Sequence, residues 1–169
     1  MNAIEIRSAT THDFDTILDV INDGASAYRG VIPDDCWHEP YMSRDDLTDE
    51  VRAEVKFSLL ETGNQIAAVM GLQDRDEVML VRHAYTRTDQ QGKGLGTRLL
   101  AHVSSHTAKP VLIGTWAAAT WAIAFYQKHG FRVVSADEKD RLLKRFWTVP
   151  ERQIETSVVL ADTRWNGQD

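Results

Sequence analysis

Between Gln91 and Thr97 the chain reads QGKGLGT, and the apolar, helix-forming run LeuLeuAlaHisVal follows from Leu99. With no Cβ at Gly92, Gly94 or Gly96, the backbone there can take dihedrals closed to other residues, and successive N–H groups can converge on one point. A helix start adds about half a positive charge at that end. The preceding segment, ValMetLeuVal from Val78 to Val81 and on to Thr86, reads as a buried strand. Strand, glycine turn and helix together form a cradle for phosphate oxygens.

Spacing separates the families that use such cradles. A dinucleotide fingerprint needs Gly-x-Gly-x-x-Gly, but the sixth position is Thr97 counting from Gly92 and Leu99 counting from Gly94. A nucleotide-hydrolase phosphate loop needs four residues between its first glycine and a Gly-Lys-Ser/Thr, and the chain has no such string. What remains is Gln-x-x-Gly-x-Gly, written by Gln91, Gly94 and Gly96. Further along, Ala122 to Phe131 reads AIAFYQKHGF. Trp121, Ala122, Phe125, Tyr126 and His129 recur at helical spacing, Thr120 is placed to cap the start, and Gly130 sits where a left-handed residue ends a helix.

The two segments together resemble the GNAT N-acetyltransferase superfamily: Gln91 to Thr97 its pyrophosphate loop, Ala122 to Phe131 its fourth helix and following strand. The rest of the chain has the matching order. Ile4 to Ile6 is a short strand. Thr10 or Thr11 caps a helix with a stripe of Phe14, Ile17, Leu18 and Ile21. A second helix starts at Ser43, with Asp46 completing a capping box, and runs towards Glu54. Val55 to Leu60 and Gln65 to Leu72 are strands joined at ThrGlyAsn. Val78 to Thr86, the strand from Pro110, Phe131 to Val134 and Thr156 to Leu160 complete the set. Asp137 to Arg145 reads as a solvated, charge-rich stretch or a short helix. The resemblance implies an α/β (α+β) GNAT fold over 1–169 as a single domain. Its mixed, mostly antiparallel sheet has six to seven strands, is flanked by about four helices and is splayed between strands 4 and 5.

Bulk properties agree with a single soluble, cytoplasmic enzyme. The chain has 169 residues, 43% of them hydrophobic, which is ample for one core. Cys36 is the one cysteine, so no internal disulfide forms. No apolar run approaches the ~20 residues of a membrane span. A formal charge of −6 repels nucleic acid and mildly attracts cationic amines.

The resemblance also implies chemistry. The cosubstrate is acetyl-coenzyme A, with no metal. Its pyrophosphate is held by Gln91, Gly92, Lys93, Gly94, Leu95, Gly96 and Thr97, and its pantetheine arm pairs with the backbones of Ala84, Tyr85 and Thr86. A neutral amine attacks the thioester carbonyl, a strand amide polarises the oxygen, and the thiolate leaves. Tyr126 is expected to return a proton to that thiolate. A phenol titrates near 10 and a thiol near 8.5, so the transfer is uphill by about 2 kcal/mol. The same residue also fits a core tyrosine on an amphipathic helix. Many relatives carry a glutamate base on one of the two splayed strands, but Leu80 and Gly114 stand at those positions and accept no proton. An alkyl amine at pH 7 must shed about 3.4 units of protonation, roughly 4.6 kcal/mol. His83 is the nearest titratable group for that work, with Glu39, His38 and Tyr28 available from the connection between the first two helices; His83 equally fits a structural histidine facing the other side of its strand, and a desolvated amine losing its proton through water competes with it. Relatives often carry an asparagine where Ala119 stands.

The acceptor is expected to be a primary amine of a small molecule or peptide, against Tyr28, Trp37, His38, Glu39 and Trp116. The aromatic connection from Gly24 to Met42 would supply most of its wall. His102 and His106 are four apart on a helix, without an evident third ligand. The C-terminal strand with Trp147 and Trp165 suits either a homodimer contact or the core. The rival reading is a non-catalytic acyl-coenzyme A binding or interaction module with the same fold.

Overall fold

A computed structural model describes residues 2–167. In chain order the elements are β1 (Ile4–Ser8), α1 (Phe14–Gly24), α2 (Arg44–Arg52), β2 (Lys56–Thr62), β3 (Gln65–Arg75), β4 (Val78–Thr86), α3 (Leu95–Ser105), β5 (Val111–Trp116), α4 (Thr120–Lys128), β6 (Arg132–Val133), α5 (Ala136–Phe146), α6 (Glu151–Glu155) and β7 (Ser157–Ala161). The strands hydrogen-bond in the order β1-β2-β3-β4-β5-β7-β6. β1–β2, β2–β3, β5–β7 and β6–β7 are antiparallel. β4 and β5 are joined by the crossover helix α3, the connection that makes a parallel pair. This is the mixed sheet expected from the sequence.

The chain forms two compact units. The first contains the chain up to Ala27, His38–Asp74 and Val81–Ala108; the second contains Tyr28–Trp37, Arg75–Leu80 and the chain from Lys109 onward. β4 is divided between them after Leu80. In the second unit its start is held by Met79 N–H donating to the Pro110 carbonyl at 2.9 Å.

In the first unit, α1 buries Ile17, Val20 and Ile21 and α2 buries Leu47 among Val55, Phe57, Leu59, Ile66 and Val69. The caps follow local sequence. Ser43 and Asp46 close a reciprocal capping box on α2. Thr10 and Asp13 do the same on a short 3-10 turn ahead of α1. The β2–β3 hairpin turns at Gly63 and Asn64, both left-handed at φ +61° and +63°, as a two-residue turn matching strand twist requires. Gly24 has no room for a side chain, because a Cβ there would lie 2.9 Å from Tyr85 Cβ and 3.0 Å from the Thr86 carbonyl oxygen.

In the second unit, Val78, Leu80, Leu112, Val159 and Ala161 pack with Leu142, Leu143, Phe146, Trp147, Ile154 and Trp165. The charge-rich segment is therefore a full amphipathic helix, α5, whose apolar edge is core and whose start is capped by Ser135. The five consecutive charged residues before Leu142 hid that edge, since only its last turn is strongly apolar. Helix α4 departs from expectation at its start: Thr120 is the first helical residue, and Ala119, the N-cap, offers no side-chain bond. Gly130 does end it left-handed, at φ +89°. Trp165 and Trp147 are both buried in this core. Among the described residues no helix is long and apolar enough to cross a membrane.

Candidate active site

The glycine loop lies wholly in the first unit. Gly92 and Gly94 are left-handed at φ +77° and +76°, and a Cβ built on either meets no atom within 4 Å, so the loop fronts open space. Gly94 is the N-cap of α3, and no side chain caps that helix. Its first intrahelical bond runs from Arg98 N–H to the Gly94 carbonyl, so the N–H groups of Leu95, Gly96 and Thr97 precede the ladder. The first turn also carries no acidic residue, whereas α1, α2, α5 and α6 each do. The positive end of the α3 dipole is thus uncompensated.

The loop is braced from outside. Gln91 Nε2 donates to the Thr86 carbonyl at 3.3 Å, and Lys93 Nζ donates to Gln90 Oε1 at 3.0 Å. Thr88 N–H donates to Asp23 Oδ2 at 2.7 Å, and Arg87 pairs with Asp19 at 2.8 Å, fastening the approach to the loop onto α1. Leu95 is buried and anchors the helix start. Ala84, Tyr85 and Thr86, at the end of β4, are half-buried. The Tyr85 hydroxyl donates to that of Tyr41 at 3.0 Å.

His83 belongs to a polar cluster in the same unit that the sequence does not announce. Its Nε2 lies 2.8 Å from Glu50 Oε2. Arg82 Nη2 lies 3.1 Å from the same oxygen, and Arg82 Nη1 donates to Gln73 Oε1 at 3.0 Å. Gln73 in turn donates to the Ala53 carbonyl. Burial pushes the Glu50 carboxyl up, but the hydrogen bond from His83 and the charges of His83 and Arg82 outweigh it and hold the group below the usual carboxylate range. Glu50 escaped the sequence analysis because 33 residues separate it from His83, and no local pattern links an exposed-looking helix position to a strand. His38 and Glu39, also in this unit, are exposed.

Tyr126 lies in the second unit on α4, 7% exposed, with Phe125 and Phe131 against its ring at 5.1 and 5.9 Å. Burial, and secondarily the Tyr28 phenol, push its pKa well above 10. Tyr28 stands on Trp121, ring centroids 5.2 Å apart, and Trp121 is 45% exposed. The structure therefore gathers Tyr28, Trp121 and Tyr126. Trp37 lies under the Arg29 guanidinium at 5.7 Å. Arg152 of α6 pairs with Asp35 at 3.0 Å, tying that connection down. Trp116 is buried. Leu80 is fully buried, and Gly114 faces Trp147, whose ring would stand 3.5 Å from an added Cβ. The rings of His102 and His106 lie 4.2 Å apart, but no group of three metal-ligating side chains occurs among the described residues.

Residues 20–145 match the acetyltransferase (GNAT) domain, and the chain belongs to that family. Its fold is similar to PaiA N-acetyltransferase from Thermoplasma acidophilum in complex with coenzyme A, with TM-score 0.72 and 18% identity over 95% of this chain and 98% of that one. It is also similar to the ribosomal-protein-S18-alanine N-acetyltransferase from Escherichia coli, with TM-score 0.69 and 15% identity over 99% and 97%. A GNAT family acetyltransferase from Elizabethkingia anophelis with acetyl-CoA bound gives TM-score 0.61 and 22% identity over 94% and 97%. Among curated protein sequences none matches significantly.

Proposed function

We propose that this chain transfers the acetyl group of acetyl-coenzyme A to a primary amine of a small molecule or a peptide, with its two compact units acting as one catalytic domain in the cytoplasm. The observation that carries the reading is the uncapped start of α3, where two left-handed glycines front open space beside unpaired N–H groups. An anion is the partner such a helix end takes. In family members of known structure the neighbouring ligand is coenzyme A or acetyl-CoA, which supplies both that diphosphate and the reactive thioester.

In this reading the N–H groups from Gly92 to Thr97 hold the diphosphate, and the backbone of Ala84 to Thr86 aligns the arm. His83 takes a proton from the amine, and Tyr126 gives one to the departing sulfur. Burial of Tyr126 keeps its phenol neutral and so keeps it a donor, while making full proton release costlier than in water. Tyr28 and Trp121 present aromatic surface suited to the acceptor, and Trp37, His38, Glu39 and Trp116 extend the acceptor wall. The buried Leu80 and the bare Gly114 favour a second reading, a binding module without turnover.

The deciding experiment follows free thiol released from acetyl-coenzyme A with a panel of primary amines and peptides, for the parent chain and Tyr126→Phe, alongside calorimetric binding. Turnover that falls in the variant while binding persists supports acetyl transfer. Binding without turnover on any acceptor establishes the module, and absence of binding overturns both.

A further inference from the structure

We infer that Glu50 is a positioning residue for His83, and that the two form a carboxylate–imidazole dyad whose free nitrogen, Nδ1, is the base for the incoming amine. The inference rests on the acetyl-transfer reading above and deepens it.

The backbone supplies the first observation. Successive side chains of a strand point to opposite faces, yet Arg82 and His83 are consecutive and both reach Glu50. The alternation breaks because His83 is left-handed, at φ +56°, in the middle of β4. A non-glycine residue is strained in that conformation, and such strain persists where surrounding contacts enforce it. Here those contacts are the Glu50 carboxylate and the Phe57 ring, whose plane lies 27° from the imidazole at 6.4 Å.

The second observation is the division of labour between the ring nitrogens. With Nε2 donating its proton to Glu50, the neutral imidazole carries its lone pair on Nδ1. Nδ1 makes no hydrogen bond among the described residues, and no buried side-chain nitrogen or oxygen among them lacks a partner, so Nδ1 is accessible. Arg82, itself fixed by Gln73, sets one Nη2 across both carboxylate oxygens, 3.2 Å from Oε1 and 3.1 Å from the Oε2 that His83 meets, and so fixes the carboxylate's orientation. The charged groups facing the dyad are Arg82 from β4, against the carboxylate, and Asp46 from α2, which acts on Glu50; β2 and β3 contribute the uncharged Phe57 and Gln73.

The step balances. The amine nitrogen bonds to the thioester carbonyl carbon and the carbon–sulfur bond breaks. The proton lost by nitrogen goes to His83 Nδ1, the sulfur takes one from Tyr126, and solvent returns the imidazolium proton to the phenolate. Glu50 stays ionised and stabilises the imidazolium as it forms.

The test combines kinetics with nitrogen NMR of the full chain labelled at histidine. With acetyl-coenzyme A and the best amine of the panel, His83→Ala is expected to lower kcat about a hundredfold or more and Glu50→Gln at least about tenfold, with the KM for acetyl-coenzyme A unchanged. The double variant should be no slower than His83→Ala, because the carboxylate acts only through the ring. In the parent, neutral His83 should carry its proton on Nε2 with a protected downfield signal that Glu50→Gln removes. A parent that turns over while either single variant leaves kcat unaltered overturns the dyad alone, as does additivity in the double variant. A parent that binds acetyl-coenzyme A but acetylates no amine overturns the acetyl-transfer reading, and the dyad's role with it.

Discussion

Gly71 and Arg82 approach so closely that a Cβ on the glycine would stand 2.8 Å from the Arg82 carbonyl oxygen, with Val55 Cγ1 at 2.7 Å and Phe57 Cε1 at 3.2 Å. One of those three neighbours is backbone and the other two are packed core side chains, none of which yields cheaply. Gly71→Ala is expected to destabilise the fold by about 2–3 kcal/mol, as overpacking does, read as a lower urea midpoint with an unchanged slope. Because the displaced backbone immediately precedes His83, the same variant should also lose the Glu50-bonded imidazole signal.

Asp13 receives both Arg7 nitrogens at 2.9 Å and the Thr10 N–H at 2.7 Å while only 8% exposed. The Arg7 hydrogen bond is the main cause that holds its carboxyl well below the usual range. A depressed folded pKa adds stability above the unfolded value, near 3.9, and loses it as the pH falls through the folded one. Asp13→Asn should therefore cost about 2 kcal/mol at pH 7. The gap to the parent should close progressively as unfolding is measured below about pH 4.

Gly94 needs its left-handed φ of +76° to start α3 where it does. Gly94→Val forces a branched side chain into that conformation at a cost of about 1–2 kcal/mol and fills part of the open space that the loop fronts. Calorimetry should report at least tenfold weaker acetyl-coenzyme A binding, while circular dichroism shows the fold retained.

Tyr126→Phe removes a buried phenol and little volume. Loss of the proposed proton donor should lower kcat about a hundredfold, within the range of general acid catalysis, with acetyl-coenzyme A binding preserved. Stability gives an independent check on its environment. A pKa raised on folding means a contribution fully present below about 10 and lost as pH rises through the folded value. The parent should therefore weaken between pH 10 and 12 more than the phenylalanine variant does.

Much of this arrangement is local and hence legible in the residue string. The capping box at Ser43 and Asp46, the left-handed pair Gly63 and Asn64, the left-handed end at Gly130 and the glycine turn before α3 each depend on a few neighbouring dihedrals and on the donors within one helical turn. They hold wherever those residues are placed in that order. The stripe of Ile17 and Ile21 likewise declares which face of α1 is buried.

The environment of His83 had to wait for packing. The residue type made it a candidate base, but nothing near it in the chain says that Glu50, from a helix 33 positions earlier, meets Nε2, or that the strand departs from alternation at that point. The edge of α5 was equally silent, since its apolar residues, Leu142, Leu143 and Phe146, fall at the end of a charged run. The sequence by itself determined most of the strands and helices, the capping box of α2, the left-handed end of α4 and the glycine turn before α3, because those rest on short-range sterics and hydrogen bonds. Tertiary structure alone decided which distant side chains share a desolvated space, because that depends on how whole elements pack.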